Sequence, residues 1–187
     1  LTTKIRIMIL KKNINLIKLL LIIVLFSFAC ENPIKPKADK NSVELWGKIY
    51  SIEDTDTLLL KSKNLKGSIS NNIGKLHNLK YLDLSNNNIS GKIPIEFYNL
   101  TNLEYLNLSS NQIEDTISIK IENFYNLKWL ILSKNKIYGS LPNSIGKLNN
   151  LENLFITNNN LEGAIPDLIV LLKNLIRLNL DTNNFSN

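Results

Sequence analysis

The 187-residue sequence contains one cysteine and one histidine. A single cysteine cannot form a disulfide within the chain. With His77 alone and no second cysteine, the side chains for a His/Cys metal site or a nucleophilic triad are missing. The acidic residues are scattered without a pairing pattern. We therefore expect no catalytic site, no bound metal and no cofactor in this sequence.

The sequence also carries little excess charge outside its N-terminus. Residues 1–29 hold five basic residues and no acidic ones, which leaves 17 basic against 16 acidic residues in the remainder. A protein that binds nucleic acid needs a basic surface on its folded part. Because that surplus is absent, we expect no nucleic-acid partner.

No long hydrophobic run is present, but a short one lies near the N-terminus. It spans the eleven residues 19–29 and follows several lysines. This length is well below the about 20 residues of a membrane-spanning helix, and it suits the core of an export signal. The sequence predicts a signal peptide over residues 1–29, with translation starting at Met8 or at Leu1 as an alternative start.

The predicted signal peptide ends at the cysteine. Ser27-Phe28-Ala29-Cys30 resembles the lipobox of bacterial lipoproteins, although that family usually has leucine where this sequence has Ser27. The resemblance implies that Cys30 is lipidated and becomes the new N-terminus. Residues 30–39, which contain proline and lysine, would then tether a folded domain to a membrane. The alternatives are simple cleavage after Ala29 and a free thiol.

Leucines recur at a fixed spacing of 24 residues through most of the remaining chain. They are Leu79, Leu103, Leu127, Leu151 and Leu175. Each opens the same phrase, which is clearest over residues 79–102 as LKYLDLSNNNISGKIPIEFYNLTN. A fixed period of about 20 to 50 residues indicates a stacked solenoid. Leu82 and Leu84 alternate with polar or outward residues, so each repeat should add one short strand to a parallel sheet.

This phrase resembles the leucine-rich repeat family in its 24-residue form with an LxGxIP segment, found in plant receptors and bacterial surface proteins. The resemblance implies an α/β solenoid, curved and right-handed, with a parallel β-sheet on the concave face and a mostly irregular or 3-10 convex side. It covers residues 55–187. The repeats fall at 55–78 (degenerate), 79–102, 103–126, 127–150, 151–174 and 175–187 (partial).

The two ends of the array depart from the repeat. Residues 40–54, which include Trp46-Gly47, are similar to the N-terminal cap of this family without the cysteine pair of plant members. At the other end, Leu175, Leu178, Leu180 and Phe185 are expected at an open apolar edge. We therefore expect the sequence to be a fragment or to lack a C-terminal cap.

Two sets of polar residues are predicted to have structural roles. One is a column just after each strand, expected to bond backbone groups of adjoining turns. Its members are Asn87, Asn111, Asn135, Asn159 and Asn183. The other is the pair Asp115 and Ser118, which replace the glycine and proline of the phrase and should loosen the convex turn of repeat 103–126.

The outward strand positions form columns that run across the concave face. The first column contains Thr57, Tyr81, Tyr105, Trp129, Asn153 and Arg177, and the second contains Leu59, Asp83, Asn107, Ile131, Phe155 and Asn179. Trp129, Ile131 and Phe155 lie on adjacent strands and predict a contiguous apolar patch, and such patches mark partner surfaces. The predicted partner-binding residues are Tyr81, Tyr105, Trp129, Ile131 and Phe155. Chance variation and cover by a neighbouring copy are the alternatives.

Together these features predict a non-catalytic surface protein, exported and lipid-anchored in a bacterial cell envelope. Its concave face would bind a protein or glycan ligand, for recognition or adhesion. The alternatives are a purely structural envelope protein and an ectodomain fragment of a plant-type receptor. Under the receptor alternative, the Asn-X-Ser/Thr sequences at Asn88, Asn99, Asn107 and Asn184 matter as glycosylation sites.

Overall fold

The computed structural model describes residues 40–186. The predicted signal peptide, the tether and Cys30 lie outside the described residues. Within residues 40–186, no helix has the length and apolar character needed to cross a membrane.

The described chain begins with an antiparallel hairpin of β1 (Ser42–Leu45) and β2 (Lys48–Ser51). Trp46 and Gly47 form its two-residue turn with φ of 46° and 76°, the left-handed values that suit a tight hairpin connection. Val43 and Leu45 are buried and join the core of the following repeats. The hairpin therefore extends the core at the N-terminal end of the array.

Six short parallel strands form the main sheet, one for each successive repeat. They are β3 (Thr57–Leu59), β5 (Tyr81–Asp83), β7 (Tyr105–Asn107), β9 (Trp129–Ile131), β11 (Asn153–Phe155) and β13 (Arg177–Asn179). The middle residue of each strand from β3 to β11 is a buried leucine, and the two flanking residues face outward. Residues paired across neighbouring strands are 24 positions apart, as for Leu106 and Leu130. The predicted solenoid fold is confirmed.

Shorter parallel strands follow on the far side of each turn. They are β4 (Lys66–Gly67), β6 (Asn88–Gly91), β8 (Gln112–Ile113), β10 (Tyr138–Gly139), β12 (Asn160–Gly163) and β14 (Asn184–Phe185). Five 3-10 helices then return the chain to the next strand. They span Asn71–Lys75, Ile95–Asn99, Ile119–Asn123, Asn143–Lys147 and Asp167–Leu171.

Close packing of these 3-10 helices depends on small residues. A Cβ added at Gly146 would collide with the backbone carbonyl of Leu168 on the next 3-10 helix, and Gly74 meets Glu96 in the same way. Deeper inside, Phe97 and Phe124 from successive repeats pack edge to face with ring centroids 6.0 Å apart. The interior is thus a continuous apolar column.

The asparagine column forms the predicted ladder. Asn87 Oδ1 accepts hydrogen bonds from the backbone N–H groups of Lys63 and Leu65, at 2.9 and 3.0 Å. Its Nδ2 donates to the carbonyls of Leu60 and Leu84, at 2.9 and 2.8 Å. The asparagines at 111, 135, 159 and 183 each accept one such bond and donate to a carbonyl of their own turn and of the preceding one. Each amide therefore joins its own turn to the preceding one.

A second asparagine ladder was missed by the sequence reasoning. Each of its members donates from Nδ2 to a backbone carbonyl 25 residues earlier in the chain, as Asn102 does to His77 at 2.8 Å. The members are Asn78, Asn102, Asn126, Asn150 and Asn174. The available signal was an asparagine directly before each opening leucine.

The turn that contains Asp115 is not loose, which corrects the prediction in part. Strand pairing on this side is interrupted there, since β8 and β10 are not paired as strands, and Thr116 and Tyr138 form an isolated bridge beside them. However, Asp115 accepts hydrogen bonds from Ile93 N at 3.0 Å and Thr116 N at 2.8 Å. The Ser118 hydroxyl accepts from Lys120 N at 3.2 Å. These side chains hold the turn in place of glycine and proline.

The last described repeat exposes apolar side chains. Leu178 is 46% exposed, whereas the equivalent Leu154 one strand earlier is fully buried. Leu175, Leu180 and Phe185 are half-buried. The apolar edge predicted for these residues is present.

Candidate partner-binding surface

The strand register brings the predicted residues of the concave face together. Tyr81, Tyr105 and Trp129 are successive cross-strand partners in the first column. Ile131 and Phe155 are partners in the second column. Because neighbouring strands lie about 4.8 Å apart, side chains in one column can touch, and both predicted columns are confirmed.

Four of these side chains form one apolar surface, which we call the concave patch: Tyr105, Trp129, Ile131 and Phe155. The ring centroids of Tyr105 and Trp129 are 6.3 Å apart, and those of Trp129 and Phe155 are 6.4 Å apart. All four side chains are half-buried. Their mutual contacts therefore cover part of each ring and leave the rest open to solvent.

Tyr81, the fifth predicted residue, lies at the periphery of the concave patch. It occupies the same column one strand before Tyr105 and is 43% exposed. Among the described residues, no ring contact joins it to Tyr105. The structure thus groups four of the five predicted residues closely and leaves Tyr81 beside them.

Backbone bonds from the adjoining strand fix the start of each strand in the patch. Trp129 N donates to Glu104 O at 3.1 Å, and Asn153 N donates to Lys128 O at 3.0 Å. On the inner side of the sheet, Leu130 and Leu154 are fully buried. The side chains of the concave patch therefore project from a rigid support, as an interface anchor requires.

Asn107, a polar neighbour of the patch, makes hydrogen bonds through both atoms of its side-chain amide. Asn107 Nδ2 donates to the Tyr105 hydroxyl at 3.2 Å, and Oδ1 accepts from the Ser109 N–H and hydroxyl at 3.0 and 2.7 Å. This network orients the Tyr105 ring. Asn153, on the other side of Trp129, is different, because its buried Oδ1 has no hydrogen-bond partner within residues 40–186.

An ion pair borders the patch where the strands begin. Lys128 Nζ lies 2.8 Å from Glu104 Oε2, and each residue directly precedes an aromatic residue of the patch. The hydrogen bond from Lys128 lowers the pKa of Glu104, and the same bond raises the pKa of Lys128. Lys128 is exposed and Glu104 is half-buried at the surface. A surface pair of this kind contributes little stability and is better suited to guiding a charged partner.

This surface can bind a partner through apolar contacts and hydrogen bonds. The concave patch itself contains apolar and aromatic groups and a tyrosine hydroxyl. Among residues 40–186, no group of three or more His, Cys, Asp or Glu side chains is arranged to hold a metal ion. His77, the lone histidine, is exposed outside the concave face.

Family models and solved structures agree on the class of protein. A model described as leucine-rich repeats in two copies matches residues 77–120, and a leucine-rich repeat model matches residues 126–148 and 150–172. Both describe repeats, and neither describes a catalytic domain. No curated protein matches the chain.

Solved structures of plant receptors are similar to this chain. The Arabidopsis receptor kinase HAESA, solved with the peptide hormone IDA and the co-receptor SERK1, is 42% identical with a TM-score of 0.63, over 64% of this chain and 20% of that one. The GASSHO1/SCHENGEN3 ectodomain of Arabidopsis thaliana, solved with CASPARIAN STRIP INTEGRITY FACTOR 2, is 35% identical with a TM-score of 0.68, over 70% and 16%. This chain thus spans a fifth or less of those two.

A shorter ectodomain matches along most of its length. The SOBIR1 ectodomain of Arabidopsis thaliana is 31% identical with a TM-score of 0.65, and the match covers 81% of this chain and 87% of that one. The chain belongs to the leucine-rich repeat family.

Proposed function

We propose that this chain is an exported, non-catalytic binding module that recognises a protein through the concave patch. The observation that carries the proposal is the contact of Tyr105, Trp129 and Phe155 on a rigid sheet, with part of each ring still open to solvent. Clustered aromatic side chains of this kind act as interface anchors. Tyr81 would add a peripheral contact.

The solved relatives support a protein ligand. HAESA was solved with a peptide hormone and a co-receptor, and PEPR1 was solved with AtPEP1. Both belong to a family whose curved sheet offers an extended surface. That such relatives are ectodomains also supports export of this chain. Ile131 favours a protein over a glycan, because an aliphatic side chain offers no face on which a sugar ring can stack.

A displayed library of random 12-residue peptides would test the proposed surface. The library is selected against the wild-type chain, and enriched peptides are measured against Trp129→Ser/Phe155→Ser. We expect peptides that bind the wild type and lose at least tenfold affinity for the double variant, because it removes both anchors. Tyr138→Ser is the matched control, since Tyr138 is an exposed aromatic residue outside the concave sheet.

Three results would contradict this function. Peptides that bind the double variant as tightly as the wild type would remove the concave patch as the binding surface. Failure to enrich any peptide that depends on the patch would favour the purely structural role. Enrichment on a glycan array with the same dependence on Trp129 would replace the protein ligand with a glycan.

We further propose that Cys30 is lipidated and that the protein is held in a bacterial cell envelope. The support is the Ser27-Phe28-Ala29-Cys30 sequence after an apolar run of export-signal length. Intact-mass measurement of the full chain expressed in a bacterium should give an N-terminus at an acylated Cys30. A Cys30→Ser variant should lack the added mass. A soluble, unmodified product from the wild type would overturn the anchor.

An ectodomain fragment of a plant-type receptor is the second candidate, favoured by 31–42% identity to HAESA and SOBIR1. It predicts glycans at the exposed Asn88, Asn99 and Asn184 when plant cells secrete the chain. Asn107 should remain bare, since it is buried and hydrogen-bonded. Acylation of Cys30 would argue against this candidate, as does the lack of a cysteine pair beside Trp46.

A further inference from the structure

An unpaired amide lies beside the concave patch. Asn153 belongs to the first concave column, between Trp129 and Arg177 on the two neighbouring strands. Its side chain is only 2% exposed, and its Oδ1 accepts no hydrogen bond from the described part of the chain. A buried carbonyl oxygen without a donor costs free energy, because it has lost its bonds to water. Such a group needs an explanation.

Asn153 differs from the two other buried side chains of this kind in residues 40–186. Ser85 and Ser144 also have unpaired oxygens, but a hydroxyl rotates freely and has both donor and acceptor character. Neither residue is on a strand of the concave patch. The amide oxygen of Asn153 is fixed by a planar group, and it lies on the strand that also carries Phe155.

Asn107 differs from Asn153, because both atoms of its side-chain amide make hydrogen bonds. Both asparagines project from the concave face beside an aromatic residue, but Ser109 supplies two donors to Asn107 Oδ1. Among residues 40–186, no equivalent donor reaches Asn153 Oδ1. The acceptor is therefore unpaired and lies beside the surface on which a docked segment would lie.

We propose that Asn153 Oδ1 accepts a hydrogen bond from a backbone N–H of the protein segment that docks on the concave patch. The inference rests on the proposed function and adds a specificity residue to it. An apolar side chain seated against Trp129 and Phe155 brings its own backbone N–H close to the patch, so the nearest donor on such a ligand is the main chain. The oxygen is covered in the unbound protein, so docking must be accompanied by a rotation of a neighbouring side chain, and rotamer changes are common at interfaces.

The test uses a peptide selected from the 12-residue library for dependence on Trp129 and Phe155. Its affinity is measured against the wild type, Asn153→Leu and Asn153→Ala, and urea unfolding is measured for each protein. The leucine variant should keep or gain stability, because it removes an unpaired polar group. Both variants should bind the peptide about tenfold or more weakly.

A series of peptides, each N-methylated at one backbone nitrogen, identifies the donor. Methylation at one position should weaken binding to the wild type by about tenfold and leave binding to Asn153→Leu unchanged, because the partner of that N–H is already gone. Asn107→Leu is the control: it should lower stability through its lost bonds and retain the sensitivity to N-methylation.

The outcomes separate this inference from the proposed function. If binding requires Trp129 and Phe155 but is equal for the wild type and both Asn153 variants, the inference is wrong and the proposed surface stands. The same holds if N-methylation weakens binding to the wild type and to Asn153→Leu by the same factor. If no peptide depends on the concave patch, the proposed function and the inference about Asn153 are both wrong.

Discussion

The asparagine ladder inside the turns and the concave patch arise from the same 24-residue unit, but they differ in how far the repeats resemble one another. At the ladder position, five successive repeats carry asparagine, and each amide bonds to two turns. At the first concave column, the corresponding residues include tyrosine, tryptophan, asparagine and arginine. A position that contacts the next repeat is constrained by it, whereas an outward position is free to serve a ligand.

The largest effect on stability is expected at the ladder. Asn111→Ala removes the acceptor for Ile89 N and the donor to Leu84 O and Leu108 O. Because these groups are buried, the loss should be about 3 kcal/mol or more in the free energy of unfolding. Urea denaturation measures it, with the exposed Asn88→Ala as a control within about 0.5 kcal/mol of the wild type. A loss below about 1 kcal/mol for Asn111→Ala would contradict the role of the ladder.

A smaller loss is expected on the convex side. Gly146→Ala places a Cβ against the backbone of Leu168, and the two 3-10 helices must separate to admit it. Overpacking of this kind costs about 1–3 kcal/mol. Thermal unfolding should register the change, whereas Ser140→Ala at an exposed position nearby should leave the midpoint in place. An unchanged midpoint for Gly146→Ala would mean that the helices are not in close contact.

The loss of folding stability at alkaline pH should show that Tyr98 is buried in the interior. Burial raises the pKa of Tyr98 to about 12 from 10.0, with the nearby charge of Asp115 adding to the rise and a backbone hydrogen bond at Ser118 opposing it. The neutral phenol is favoured in the folded state, so its contribution is present below pH 10 and is lost as the pH rises to 12. Between these values, the wild type should lose on the order of 2 kcal/mol more than Tyr98→Phe. Equal losses would show that Tyr98 is accessible to water.

The smallest effect on stability is expected at the concave patch. Trp129→Ser/Phe155→Ser removes half-buried rings that the interior does not use, so the urea midpoint should fall far less than for Asn111→Ala. The loss of peptide binding described above should nevertheless be large. A double variant that unfolds as readily as Asn111→Ala would show that the patch belongs to the scaffold.

Much of the fold could be predicted, because repeats with a constant 24-residue spacing stack in a single row. Each repeat meets the same neighbours, so the buried Leu82 and the ladder residue Asn87 follow from position alone. The bonds of Asp115 could not be predicted, because they depend on the backbone of Ile93 in the preceding repeat. The sequence alone indicated only that aspartate replaces the glycine of the repeat phrase at position 115.

The candidate site could also be predicted from the sequence only in part. Sequence spacing was sufficient to place Trp129, Ile131 and Phe155 on adjacent strands, and the ring contacts followed from their size. It could not distinguish Asn107 from Asn153, since both are outward asparagines beside aromatic residues. What differs is the set of donors around each amide, and that depends on side-chain directions across several strands.

The most direct test of the proposed surface is backbone amide NMR of the full chain titrated with a selected 12-residue peptide. The proposed function predicts that the amide shifts change most in β7, β9 and β11, around Tyr105, Trp129 and Phe155, and little in the turns that contain the asparagine ladder. Shifts concentrated in the 3-10 helices or at the exposed edge near Leu178 would contradict it, because the ligand would then be bound elsewhere.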